Sequence, residues 1–403
     1  MLFLALRNIF RQKGRTAMTM AAVIFGVVGL ILCGGFIEDM LIQLGETIIH
    51  SQSGHLQVNR QGFFATGSRS PESFMIDDPE EIRGAVASLP GIDDQMARIS
   101  FSGLLNNGKT DRSVVGEGVE ASRESRLGSL LRITAGRPLT DDDHYGALVG
   151  EGLAKSLKLE PGSQVTLVAS ASGGALNTVE LEVAGIFQSF SKEFDARSIR
   201  IPLAAAQELV SSQGVNTIVV SLQETVDTDR TRAALTRLLD PLEYEIKTWY
   251  QINDFYEKAV ALYARQFSVL VVIILLMVLL SVANSVNMSA FERVGEFGTM
   301  MALGDRPQQV FRLIVLENLL LGALGATLGA LLGVLLALAI SAIGIPMPPP
   351  PNANLGYVAH VRIVPAQIAM AFAVGFAATV LASFFPAYRV TRIPVVDALR
   401  QNV

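Results

Sequence analysis

"FSVLVVIILLMVLLSVANSVNM" (residues 267–288) is a run of 22 residues without a charged side chain. The hydrocarbon core of a bilayer is crossed by about 20 mostly apolar residues in a helix, so this run is expected to span a membrane. Working outward, residues 17–36, 319–343 and 368–385 form three more uncharged apolar runs. The composition agrees: 50% of the 403 residues are hydrophobic and 17% are charged, where a soluble domain carries about 25% charge. The apolar residues gather near the N-terminus and in the last third. The stretch between them has ordinary soluble composition, which points to a membrane protein with one large water-exposed insert.

Lys and Arg beside the spans give the orientation. Arg7, Arg11, Lys13 and Arg15 precede the first; Arg293, Arg306 and Arg312 lie between the second and third; Arg389, Arg392 and Arg400 follow the fourth. With four spans all three basic flanks fall on one side, so both termini are expected in the cytoplasm and residues 37–264 outside. That insert holds 20 basic and 32 acidic residues, a net of −12, and the remainder holds 12 and 5, a net of +7. An acidic outer domain is not expected to bind nucleic acid.

The third span carries Gly322, Gly325, Gly329 and Gly333. From Gly325 the small residues recur every fourth position and line one helix face, the pattern of a close helix–helix seam within or between subunits. No span has a charge near its middle, which argues against an intramembrane proton or sodium path. Glu317 is expected at the cytoplasmic entry of the third span, within reach of water. The single cysteine, Cys33, lies in an apolar run, so neither an internal disulfide nor a cysteine metal site is available.

The middle segment alternates helix and strand signals. "DPEEIRGAVASL" offers Asp78 as N-cap and Pro79 at the first helical position; "PLAAAQELVSS" and "DTDRTRAALTRLL" read as amphipathic helices; "GHLQV", "QVTLVAS", "VELEVAGIF" and "NTIVVSL" read as strands. "GLLNNGKT" (residues 103–110) fits the phosphate-loop pattern at every fixed position. A working phosphate loop must open a helix, whereas "RSVVGEGV" resumes as a strand after the Asn107-Gly108 turn signal, so a hairpin with Lys109 at its tip is expected. The four histidines have no metal-ligand spacing, and the consecutive Asp141-Asp142-Asp143-His144 reads as a solvated acidic turn. Glu38 to His50 and Asp254 to Gln266 are expected to carry the first two spans beyond the bilayer as helical stalks.

After the second span comes "FERVGEFGTMMALGDRP" (residues 291–307). Glu292, Arg293 and Glu296 can share one side of a helix, with Phe297, Met300, Met301 and Leu303 on an apolar one. Gly304 would end the helix, and Pro307 follows. Such a short cytoplasmic helix suits docking into a groove of another protein; by itself it equally suits an interfacial position on lipid.

Together with the ending "FPAYRVTRIPVVDALR" (residues 385–400), this stretch resembles the FtsX-like permeases of ABC transporters, a family that includes MacB, LolC, LolE and FtsX. Glu292, Arg293, Glu296, Phe297, Gly298, Ala302, Leu303 and Gly304 match its first motif; Pro386, Ala387, Arg392, Pro394, Ala398, Leu399 and Arg400 match its second. "GRPLTDDDHYGALVGEGLAKSLKLEPGSQVTL" (residues 136–167) is similar to its outer domain, and "SGHLQVNRQGF" (residues 53–63) to its lipoprotein-release group. The resemblance implies an α-helical membrane protein with four transmembrane helices and a large extracytoplasmic α+β domain between the first and second. That domain would have a ferredoxin-like part and an inserted β-rich part near 98–190. Residues 1–50 would hold the cytoplasmic N-terminus, first helix and stalk, 51–250 the outer domain, and 251–403 the second stalk and the remaining helices. A coupling helix at about 291–304, with Glu292, Arg293, Glu296, Phe297, Gly298, Met301, Ala302, Leu303 and Gly304 as its coupling residues, would dock a separate cytoplasmic ABC ATPase. ATP and magnesium would bind that partner and no cofactor this chain, which would itself be non-catalytic. A second permease subunit would complete a homo- or heterodimer in the inner membrane, and a periplasmic carrier or adaptor is a further compatible partner. The implied activity is mechanotransmission that extracts or exports lipoproteins or other hydrophobic cargo. The alternatives are a MacB-like drug or peptide exporter and an FtsX-like signalling permease that activates a cell-wall hydrolase.

Overall fold

The computed structural model describes residues 8, 11, 13–67, 70–127, 131–349, 354 and 356–400. The chain divides into two compact units, one of Met1–Leu41, Ala259–Pro346 and Val358–Val403, the other of Ile42–Lys258 and Met347–Tyr357.

Among the described residues, four helices are long and apolar enough to cross a membrane. The first runs Lys13–Ile48, the second Asp254–Glu292, the third Pro307–Ile343 and the fourth Pro365–Val390. At about 1.5 Å per residue all four exceed the ~30 Å hydrocarbon thickness. The stretch from Glu38 to Ile48 is α-helical throughout and passes into a π turn at Ile49–Ser53. Residues 254–266 likewise belong to the second helix without a break.

Small residues let these helices approach closely. A Cβ at Gly325 would lie 3.2 Å from Val23, one at Gly329 2.9 Å from Val27, and one at Gly333 2.9 Å from Ile31. The glycine stripe of the third helix therefore faces the first helix of the same chain. Gly26 of the first helix meets Val278 of the second, and Val27 also meets Gly375 of the fourth. Gly322 faces Thr379. Val23, Val27, Ile31, Val278, Ala326 and Ala378 lie in one buried cluster. The outward faces carry Leu, Ile and Val, as a lipid-facing surface requires.

The second unit is built on ten strands: β1 (Leu56–Arg60), β2 (Ile92–Asn106), β3 (Asp111–Val119), β4 (Arg132–Gly136), β5 (Gly146–Gly150), β6 (Gln164–Ser170), β7 (Leu176–Gln188), β8 (Ser198–Pro202), β9 (Thr217–Leu222) and β10 (Tyr244–Thr248). The order β10-β1-β9-β2 is antiparallel throughout. Helix Pro79–Ala87 links β1 to β2 and helix Thr228–Leu238 links β9 to β10. Two split βαβ units in this order make the ferredoxin-like part. Asp78 caps the first of these helices by accepting from the Glu80 amide at 3.1 Å.

Six further pairings, β2-β3, β3-β8, β8-β5, β5-β7, β7-β6 and β6-β2, form a closed ring of six strands, and β4 pairs antiparallel with the end of β7. Closure removes open sheet edges, and Leu105, Ala147, Val149, Leu167, Leu181, Val183, Ile199 and Ile201 fill the interior. β2 leaves β9 for β3 at Arg98. The added strands therefore start near the expected residue 98 but reach Pro202, beyond the expected 190. The reason is that β8 is needed to join β3 to β5. "GLLNNGKT" closes the β2–β3 hairpin: Asn106 pairs with Asp111, Gly108 has φ +83°, and the Asn107 side-chain oxygen accepts from the Lys109 and Thr110 amides at 3.0 and 2.9 Å. A strand follows Thr110 where a phosphate loop needs a helix.

Gly329→Leu is expected to force the first and third helices apart and destabilise the membrane unit by at least about 1–3 kcal/mol. Leu335→Ala, at a residue that is 61% exposed, should change little. Thermal denaturation of the solubilised chain compares them, and equal melting temperatures would count against the seam.

A buried ion pair beneath a short connecting helix

The connection between the second and third long helices was expected as one helix over about 291–304. The structure breaks it. The second long helix continues through Phe291 and Glu292, Arg293 leaves helical geometry at φ −99°, ψ 7°, and a separate helix spans Val294–Ala302. Arg293 turns out of the helix because its side chain is committed elsewhere. Its Nη1 donates to Glu317 Oε2 at 2.8 Å and its Nη2 to Oε1 at 3.3 Å, a two-pronged pair. Its Nε donates to Glu296 at 3.2 Å, and the guanidinium lies 5.0 Å from the Phe297 ring centre.

Glu317 was expected within reach of water. It is buried, because Arg293 covers one side and Asn8 Nδ2 donates to its Oε1 at 2.6 Å. Arg11 pairs with Glu296. Two cations and two carboxylates thus form a neutral node joining the N-terminal segment, the short helix and the third long helix. Beside it Thr19 and Ser285 share a 2.6 Å hydrogen bond, and a cavity of about 50 Å³ lined by Asn8, Thr16, Ser289 and Asn318 has room for water.

The short helix ends in a Schellman motif. Gly304, at φ +109°, donates to Met301 O at 3.2 Å, and Asp305 donates to Met300 O at 3.0 Å. Only glycine takes that backbone conformation without strain. The residues expected to dock a partner therefore divide. Arg293, Phe297 and Gly298 are buried within the unit, Phe297 in a cluster with Val310, Val390 and Ala398. Phe297 thus faces inward, although it was expected on the docking face. Met301 is half-buried, while Glu292, Glu296, Ala302, Leu303 and Gly304 are exposed, Leu303 at 85%. The sequence signal for the node was a lone Glu317 beside Asn318 in an otherwise apolar run. Its pairing with Arg293 needed the fold.

Among the described residues, no cluster of three or more His, Cys, Asp or Glu is arranged to hold a metal ion.

Comparison with known proteins adds two matches in chain order. The MacB-like periplasmic core domain matches residues 16–238, and the FtsX-like permease C-terminal domain matches residues 268–395. An uncharacterized ABC transporter permease of Methanocaldococcus jannaschii is 22% identical, covering 98% of this chain and 96% of its own. The lipoprotein-releasing system transmembrane protein LolE of Haemophilus influenzae is 24% identical over 75% of this chain and 76% of its own. The macrolide export ATP-binding/permease protein MacB of Campylobacter jejuni is 21% identical over 86% of this chain but 54% of its own length, so this chain spans about half of that relative. With both domains matched over most of the sequence, around four long apolar helices and one large α/β insert, the chain belongs to the MacB- and FtsX-like ABC transporter permeases.

Proposed function

We propose that this permease is driven by a separate cytoplasmic ATPase and extracts or exports lipoproteins or other hydrophobic molecules at the outer face of the inner membrane. The observation that carries the reading is the short helix Val294–Ala302. One face is buried and pinned through Arg293 and Glu317; the C-terminal end leaves Ala302, Leu303 and Gly304 exposed. A helix held this rigidly can pass a push from a docked partner directly to the second and third long helices. The basic flanks support cytoplasmic termini and an outer acidic domain. A second copy or a related permease would complete the transporter. The likeness to LolE favours lipoprotein cargo, and the MacB-like domain over residues 16–238 favours macrolide-type export as the second reading. Depletion in the native host separates them: lipoproteins retained in the inner membrane support the first, and heightened macrolide sensitivity supports the second. If depletion instead leaves a cell-wall hydrolase inactive, with both of those unchanged, the chain is a signalling permease.

Leu303→Glu should weaken capture of the co-purifying ATPase by roughly tenfold, as for an anchor worth over 1 kcal/mol. The fold should be left within about 0.5 kcal/mol, because the side chain is exposed. Undiminished capture by this variant would remove the docking assignment.

Arg293→Met leaves Glu317 buried without its partner and is expected to destabilise the membrane unit by about 3–5 kcal/mol. Arg293→Met combined with Glu317→Leu should recover most of that loss. Denaturant titration of the two variants is the check; a double variant no more stable than the single would mean that the pair is not the source of the effect.

A further inference from the structure

The carbonyl end of the first long helix is held by buried arginines. Past Ile48 the chain makes the π turn Ile49–Ser53, closed by the Gly54 amide donating to Ile49 O at 3.0 Å. Gly54 lies at φ +62°, and a Cβ there would sit 2.3 Å from Val219, so the exit admits only glycine. The last carbonyls of a helix have no partner within it. Here Ser51 is 2% exposed, so water does not serve its carbonyl. Arg200 Nη2 donates to Ser51 O at 3.1 Å, and Arg98 Nη1 donates to Gln52 O. Cations also suit the negative end of a helix.

The two guanidiniums are themselves fixed. Glu124 accepts from Arg98 Nε at 3.1 Å and Nη2 at 2.8 Å and lies 2.9 Å from Arg200 Nη1; Glu117 accepts from Arg200 Nε at 2.9 Å and lies 3.6 Å from Arg98. The Arg98 and Arg200 side chains are 2% and 1% exposed. Burial pushes the Glu124 carboxyl up, but the charges of Arg98 and Arg200 outweigh it and hold it below its ordinary range. The four charges cancel. Arg98 stands where β2 passes from the ferredoxin-like part to the six-strand ring, while Arg200, Glu117 and Glu124 belong to the added part. Buried ionic clusters are weak sources of stability. A cluster that ties two halves of a domain to one helix end serves geometry better than it serves stability.

We infer that Arg98 and Arg200 are positioning residues that lock the end of the first helix to both halves of the outer domain, so that displacement of the helix moves the sheet. The inference rests on the force-transmitting role proposed above. The test uses the full-length permease with its co-purified ATPase in nanodiscs. Deuterium uptake is compared with and without ATP and vanadate in peptides covering 49–55 and 198–202, for wild type and for Arg98→Met with Arg200→Met. The wild type should show a nucleotide-dependent difference in both peptides. The double variant should hydrolyse ATP at a similar rate yet lose that difference in 198–202 by about fivefold or more, the size of a typical coupling. Arg98→Lys with Arg200→Lys should restore part of it. A double variant with an undiminished difference overturns the clamp and leaves the transporter reading standing. A wild type with ATP turnover and no difference in either peptide overturns force transmission, and the clamp with it. Where the double variant does not fold, Arg98→Met and Arg200→Met combined with Glu117→Gln and Glu124→Leu, which leaves no carboxylate of the cluster buried without its partner, gives the same reading.

Discussion

The close approach of the first and third long helices is the constraint on which the membrane unit depends. Lipid chains are as apolar as leucine, so no hydrophobic gain draws two such helices together. They associate through contact area, and contact area needs small residues. Gly325, Gly329 and Gly333 supply a smooth face into which Val23, Val27 and Ile31 fit. The first helix thereby meets the third along its length, and through Gly26 and Val27 it also meets the second and fourth. It is the central member of the unit, and it is also the helix that runs unbroken from Lys13 to Ile48 before entering the π turn.

A tightly packed apolar bundle has little tolerance for charge, so the ionic groups collect at its ends. At one end Arg293, Glu317, Glu296 and Arg11 neutralise one another. At the other, Asp39 accepts from Arg362 Nε and from the His360 amide at 3.0 and 2.9 Å. Each group brings a charge on one element to the opposite charge on an element distant in sequence. Breaking such a contact leaves an unpaired buried charge, which is far more costly than the intact pair is stabilising. These ties therefore add little to net stability while strongly penalising any arrangement in which the elements slide independently.

Much of this was legible from the chain because it rests on local rules. Uncharged runs of bilayer length marked the spans, Asp78 and Pro79 marked a helix start, Gly304 marked a helix end, and Asn107-Gly108 marked a hairpin against a tempting phosphate-loop pattern. What escaped depends on pairing across distance. Arg200 stands in "SIRIP", a strand buried at every position, and Arg98 in an equally buried part of β2; a charge in such a run has no local explanation. Glu317 was read as solvated because nothing near it in sequence shows Arg293 folding back over it. The break at Arg293 was missed for the same cause: the residue leaves the helix to satisfy a partner on the next one.

The two helices that bound the outer domain also converge on one pair of strands. The first reaches β1 through the π turn, and β10 leads directly to Trp249 and the start of the second. β1 and β10 are antiparallel neighbours with Leu56 opposite Thr248, so both helices attach at the same end of the same ladder. Trp249 secures the junction. Its amide donates to His55 O at 3.0 Å, its ring stacks edge-on against Tyr256 at 4.5 Å, and it covers Gly45, where a Cβ would lie 2.6 Å away. A strand ladder resists shear because each residue of slip costs its hydrogen bonds and flips its side chains to the wrong face. Relative sliding of the two helix ends is therefore opposed by the β1–β10 pair, and a common displacement is not.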